Sequence, residues 1–140
     1  MKLGAIEAGG TKFVVCIGDE NGNVLERDSF PTETPEKTLA NIFKFFDGKD
    51  IEALGVGCFG PIDPDLNSPT YGYITTTPKP GWGNFNIMGA LKERYNIPMG
   101  FDTDVNGACL GEAYFGAPKG LDSALYMTIG TGMGCGPIVE

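Results

Sequence analysis

Asp104 and two glycine-rich turns supply the residues whose types and spacing can do chemistry in this chain. The first turn, Gly9-Gly10-Thr11-Lys12, lies between apolar runs at 2–8 and 13–18. Glycine tolerates positive φ and lets N–H groups converge on an anion, while Thr11 adds a hydroxyl and Lys12 a charge, so the turn suits a phosphate. An ordinary hairpin turn has the same composition, and Gly-Gly-Thr alone does not separate the two. The second turn, with Gly130, Thr131 and Gly132, again sits between apolar runs and favours the phosphate reading. Between the two stands Asp104, just past a predicted strand, where a carboxylate facing a cleft can take the proton from an attacking hydroxyl. The chain has no histidine, so histidine bases, triads and metal ligands are excluded. The competing reading of Asp102, Thr103 and Asp104 is helix capping, for which all three are suited.

Further candidates surround this set. Gly60-Pro61 either ends a strand or presents backbone N–H groups to sugar hydroxyls. Trp82, the only tryptophan, is either an anchor under a long loop or a wall for a sugar ring. Asn106 is a first-turn polar residue able to reach into a cleft. Glu7 either positions Mg2+ through water or accepts hydrogen bonds from the N–H groups of the turn beside it.

The elements that must hold these residues follow from periodicity. Strands at 2–8, 13–18 and 24–30 form a meander, the second pair joined by the turn 19–23. Thr34 caps a helix with Pro35 at its first position and Leu39, Ile42, Phe43 and Phe46 on one face, ended by Gly48. A buried strand at 51–59 leads to a long loop at 64–83, rich in Pro, Gly, Thr and Asn, of the kind that usually binds something. Asn84 or Asn86 caps a helix reaching about residue 95, a strand spans 97–101, and a helix follows at 105–115. A hinge at 116–120 and strands at 123–129 and from 136 complete the expectation. This is an α/β pattern, with ligands expected at the carboxyl ends of the strands.

Composition bounds the partners. The 140 residues are 41% hydrophobic, enough for a sizeable core without disulfide support. With 18 acidic against 10 basic residues the net charge is -8, which offers nucleic acid no footprint and repels an anionic membrane surface. Any phosphate site must therefore be local. Cys16, Cys58, Cys109 and Cys135 form no close pair and read as buried thiols rather than a disulfide or metal framework. No apolar run is long enough to span a membrane and no leader precedes the first strand, so the expected compartment is the reduced cytoplasm.

Five stretches together resemble the ROK family of sugar kinases and repressors: Ile6 to Lys12, Gly57 to Ile62, Thr77 to Trp82, Asp102 to Ala108 and Gly130 to Gly134. Glu-Ala-Gly-Gly-Thr-Lys paired with Thr-Pro-Lys-Pro-Gly-Trp is most similar to the bacterial fructokinase branch. Many ROK members carry Asp where Glu7 stands and Asn where Thr103 stands. The resemblance implies an actin-like, ribonuclease-H-like fold, with residues 1–118 as an N-terminal lobe and 119–140 as a hinge and the start of a second. It implies ATP-dependent transfer of phosphate to the 6-hydroxyl of a hexose, most similar to D-fructose phosphorylation, with Asp104 as base. Gly9, Gly10, Thr11, Lys12, Gly130, Thr131 and Gly132 would hold ATP phosphates. Gly60, Pro61, Trp82, Thr103, Asp104 and Asn106 would hold the sugar, with Mg2+ near Glu7. Further implications are a structural Zn2+ whose ligands lie outside this chain, a homodimer as intact enzyme, and a 140-residue chain that folds but is inactive by itself. The alternatives are a sugar-sensing ROK-type regulator and a non-catalytic sugar-binding domain; the acidic balance disfavours the DNA-binding one.

Overall fold

The computed structural model describes residues 2–19, 21 and 23–103, together with the backbone strands at 124–129 and 133–138. The elements are β1 Leu3–Ala8, β2 Lys12–Gly18, β3 Val24–Pro31, α1 Pro35–Phe46, β4 Ala53–Cys58, β5 Tyr73–Ile74, β6 Phe85–Asn86, α2 Ile87–Arg94, β7 Met99–Thr103, β8 Ala124–Ile129 and β9 Met133–Ile138. Five of the strands form one sheet in the order β3-β2-β1-β4-β7. The meander pairs antiparallel, whereas β4 and β7 join β1 in parallel. Parallel neighbours need a crossover, and α1 and α2 supply the two.

Side-chain alternation assigns the faces. Ile6 and Ala8, Phe13, Val15 and Ile17, and Leu54, Val56 and Cys58 all point to one side and form a single core with Leu39, Ile42 and Phe46 of α1 and Ile87, Met88 and Leu91 of α2. On the other side most described positions of β1, β4 and β7 are small or polar, among them Ala5, Glu7, Gly55, Gly57, Gly100 and Asp102, beside the half-buried Leu3 of β1 and Val14 of β2. Thr34 caps α1, its hydroxyl accepting from Lys37 N–H, and Gly48 follows the helix with φ +77°.

Several expectations shift. The loop at 64–83 is not irregular throughout, because β5 pairs with β6 across it. Asn86, not Asn84, caps α2, its side chain accepting from Gly89 N–H. The last sheet strand begins at Met99 and runs through Asp102 and Thr103, so these two residues lie within β7 opposite Gly57 and Cys58 rather than beyond it. Cys58 is buried as expected, but Cys16 is only half-buried. It sits on the non-core face opposite Arg27, where partial burial pushes the thiol up and Arg27 pulls it the other way. The expected helix at 105–115, the hinge at 116–120 and Cys109 lie outside the described residues, as does the Cys135 side chain. Among the described residues no helix is long and apolar enough to cross a membrane.

Candidate functional site

Three segments leave the sheet in one row. Ala8 at the end of β1 stands opposite Cys58 at the end of β4, and Cys58 opposite Thr103 at the end of β7. Adjacent strands lie about 4.8 Å apart. The turn after β1, Gly60-Pro61 after β4 and the Asp102-Thr103 pair therefore emerge side by side, at the carboxyl ends where open α/β sheets gather their ligands. Phe59 N–H donates to Ala8 O at 2.8 Å, extending the parallel ladder by one residue and setting Gly60 near Gly9. Asp104 follows Thr103 directly in sequence and lies outside the described residues, as do Asn106, Gly130, Thr131 and Gly132.

The β1–β2 turn is built by close approach rather than by unusual dihedrals. Gly9 N–H donates to Lys12 O at 3.0 Å. A Cβ on Gly9 would lie 2.6 Å from that same oxygen, so only glycine fits without a backbone shift. Neither Gly9 nor Gly10 has positive φ; among the described glycines only Gly48, Gly72 and Gly81 do. A Cβ on Gly10 would meet nothing within 4 Å. Gly10, Thr11 and Lys12 are exposed. The Gly10 and Thr11 N–H groups make no hydrogen bond within the described residues. Two backbone donors, a hydroxyl and an ammonium are thus available at one corner.

Glu7 lies two residues before the turn, exposed on the non-core face, in a row that runs Val14, Glu7, Gly57, Asp102. Among the described residues no side-chain hydrogen bond joins its carboxylate to the turn, whose own side-chain bond runs from Thr32 to Gly9 O. No group of three or more His, Cys, Asp or Glu side chains is placed to hold a metal among those residues. A lone exposed carboxylate suits Mg2+ only in the mode where water and substrate phosphates fill most of the shell.

On the neighbouring side, the Gly60-Pro61 peptide is cis. Pro61 O accepts from both Thr75 N–H, at 2.9 Å, and the Thr75 hydroxyl, at 3.2 Å, which pins the turn to the strand region beyond it. Gly60 keeps an exposed N–H with no partner among the described residues. Asp63 knots the loop that follows, accepting from Asp65 N–H and from the hydroxyls of Ser68 and Thr70. Those hydroxyl donors hold its carboxyl below the usual range.

Trp82 corrects an expectation. It is completely buried, packed on Phe13 at 5.6 Å, Phe59 at 5.9 Å and Phe85 at 5.6 Å between ring centroids, and Nε1–H donates to Glu33 O at 2.9 Å. With no exposed surface and its one donor used, the indole is the anchor of the loop and not a wall for a sugar. Thr103 is half-buried on the core side of β7, in the row of Cys58.

Sequence reasoning missed Thr32, Glu33 and Asp63. Thr32 and Glu33 sit in the run Pro31-Thr32-Glu33-Thr34-Pro35, where the cap signal of Thr34-Pro35 takes the attention. The Asp-x-Asp-x-Asn-Ser spacing at 63–68 is a readable signal for a hydrogen-bonded loop.

A sequence profile described as "ROK family" matches residues 3–140, and the chain belongs to that family. It is 53% identical to "Fructokinase" of Pediococcus pentosaceus over 100% of this chain and 49% of that protein. It is 50% identical to "Fructokinase" of Lactococcus lactis subsp. cremoris over 96% of this chain and 46% of that protein. The chain thus spans about half the length of the curated relatives it matches. Among solved structures it is similar to a ROK family glucokinase from Streptomyces griseus in complex with glucose and AMPPNP, with TM-score 0.83, 28% identity and coverage of 99% of this chain and 45% of that one. It is also similar to a ROK hexokinase from Thermus thermophilus, with TM-score 0.82, 30% identity and coverage of 99% and 47%. The fold is the actin-like α/β fold of ROK sugar kinases.

Proposed function

We propose that this chain supplies the phosphate turn, the catalytic base and part of the sugar site of an ATP-dependent hexose kinase that converts D-fructose to fructose 6-phosphate. The observation that carries the reading is the alignment of the Gly9–Lys12 turn, Gly60-Pro61 and the end of β7 in one row, with unpaired N–H groups on the first two. The fructokinase names of relatives near 50% identity support the choice of hexose.

In this mechanism Asp104 takes the proton from the sugar 6-hydroxyl as its oxygen attacks the γ-phosphorus of ATP in line, and ADP leaves. The Gly10 and Thr11 N–H groups, the Thr11 hydroxyl and Lys12 stabilise charge on the transferring phosphoryl oxygens, with Gly130, Thr131 and Gly132 as the second phosphate turn. Gly60 N–H, Thr103 and Asn106 orient the sugar. Glu7 would hold, through water, an Mg2+ bound with the nucleotide, which would supply neutralisation of phosphate charge. Such an array works mainly by positioning, because phosphoryl transfer needs little covalent participation from the protein. A structural Zn2+ belongs to this proposal only outside this chain. The intact enzyme is proposed to be a cytoplasmic homodimer, with residues 1–118 as one lobe and 119–140 opening the next.

A hexose panel tests the reading. The full-length protein with ATP and Mg2+ should release ADP fastest per unit of added D-fructose, with glucose, mannose and amino sugars trailing in kcat/KM. ADP release unchanged by every hexose would refute it.

A further inference from the structure

We infer that Thr32 is the positioning residue of the phosphate turn, an inference that rests on the reading of Gly9–Lys12 as that turn. Thr32 follows the last residue of β3, 23 positions from Gly9, and its hydroxyl donates to Gly9 O at 2.7 Å. Its own N–H donates to Thr11 O at 2.9 Å. One residue thus takes the two carbonyl oxygens that bracket Gly10.

The consequence follows from peptide planarity. In a trans peptide the C=O of one residue and the N–H of the next point in opposite directions. Holding Gly9 O toward Thr32 therefore turns Gly10 N–H away from it, toward the exposed side of the turn. A carbonyl left free to rotate would swing its negative end toward an incoming phosphate and withdraw the donor. Thr32 removes that alternative before the anion arrives, which is preorganisation in its simplest form.

The residue is itself anchored. Next to it, Glu33 N–H donates to the buried Thr38 hydroxyl at 3.0 Å, and Glu33 O accepts from Trp82 at 2.9 Å. The strap Thr32-Glu33 thereby ties the turn to α1 and to the anchor of the long loop. Thr32 touches no substrate in this account. It acts through Gly9 and Thr11.

The experiment uses the full-length protein, with Mg-ATP affinity measured by calorimetry beside steady-state kinetics. Thr32→Val keeps the shape and removes the hydroxyl; Mg-ATP Kd and KM should rise by about fivefold to tenfold, the scale of one hydrogen bond's net contribution, while KM for fructose stays within about twofold. Thr32→Ser should restore ATP affinity. Thr38→Val removes the hydroxyl at the other end of the strap and should lower the melting temperature without weakening ATP. Thr32→Ala takes the place of Thr32→Val if the latter does not fold. ATP affinity within about twofold of wild type in the hydroxyl-less variant, or equal weakening in Thr38→Val, overturns the inference. A wild-type protein that binds no Mg-ATP removes the phosphate turn and this inference together. Binding without hexose-dependent turnover removes the kinase reading alone and leaves Thr32 to be judged by affinity.

Discussion

The β1–β2 turn and the loop from Phe59 to Phe85 reach the same row of strand ends by opposite means. The turn is four residues long, exposed, and held by hydrogen bonds to two of its carbonyl oxygens from Thr32. The loop is long and held from inside, by a fully buried Trp82 against three phenylalanine rings, and pinned at its start through Pro61 O. A short turn that must present its N–H groups can be fixed only through its carbonyls, since any side chain packed over it would cover the donors. A long loop has more backbone entropy to lose and needs an apolar anchor to offset it. On the proposed function, polar straps would hold the nucleotide side and apolar packing the sugar side.

The sharpest break of that contrast is Trp82→Ala. Loss of a buried indole should cost about 3–5 kcal/mol of stability. Where the protein still folds, KM for sugar should rise while ATP affinity stays near wild type, as measured by denaturant melts beside two-substrate kinetics. Equal loss on both substrates would show the two regions to be one unit.

Asp104→Asn comes next, because in the proposed mechanism it removes the base. A fall in kcat of at least about a hundredfold, with sugar affinity within an order of magnitude, is expected. Near-normal turnover would make Asp104 a helix cap.

Gly10→Val and Gly132→Val probe the donors directly. A Cβ at Gly10 has open space around it, so stability should hold while the branched side chain blocks the anion and KM for ATP rises several-fold, by roughly the 1–2 kcal/mol of a lost charge-assisted hydrogen bond. A lower melting temperature with unchanged ATP kinetics would reassign either turn as structural.

The smallest effect concerns Asp63. Its carboxyl is held below the ordinary 3.8 first by Ser68 and then by Thr70. A folded-state pKa below the unfolded one means that the contribution to stability is present above pH 3.8 and is lost as pH falls through the folded value. Asp63→Asn should therefore lower the melting temperature near neutrality and flatten the acid limb of its profile, so that the difference from wild type closes below about pH 4. An unaltered acid limb would show that the Asp63 knot adds nothing to the loop.

What the sequence made legible was local. Period-two alternation in Leu3–Ala8 and Lys12–Gly18 and the Thr34-Pro35 cap each put their signal within a few residues, and the meander and α1 follow from them. The glycine turn was legible as a candidate anion site, although the reason for Gly9 is its approach to Lys12 O and not a positive φ. β5 and β6 are two residues each, too short to show a period, and exist only because they find each other across the loop. β7 was placed two residues early, since Pro98 cannot donate to a ladder, and it extends to Thr103 because β4 offers Gly57 and Cys58 as partners. The two readings of Trp82 are separated only by the surrounding rings, and Thr32 by a contact across 23 residues. These are contacts that no local pattern encodes, whereas the Asp63 knot spans two to seven residues and was readable in the sequence.

Product analysis tests the central claim most directly. Full-length protein incubated with Mg-ATP and D-fructose, followed by phosphorus NMR, should yield one phosphomonoester, fructose 6-phosphate, in step with ADP, and Asp104→Asn should abolish its formation on the same timescale. ADP appearing with inorganic phosphate and no sugar ester, or an ester at a different hydroxyl, would contradict the account.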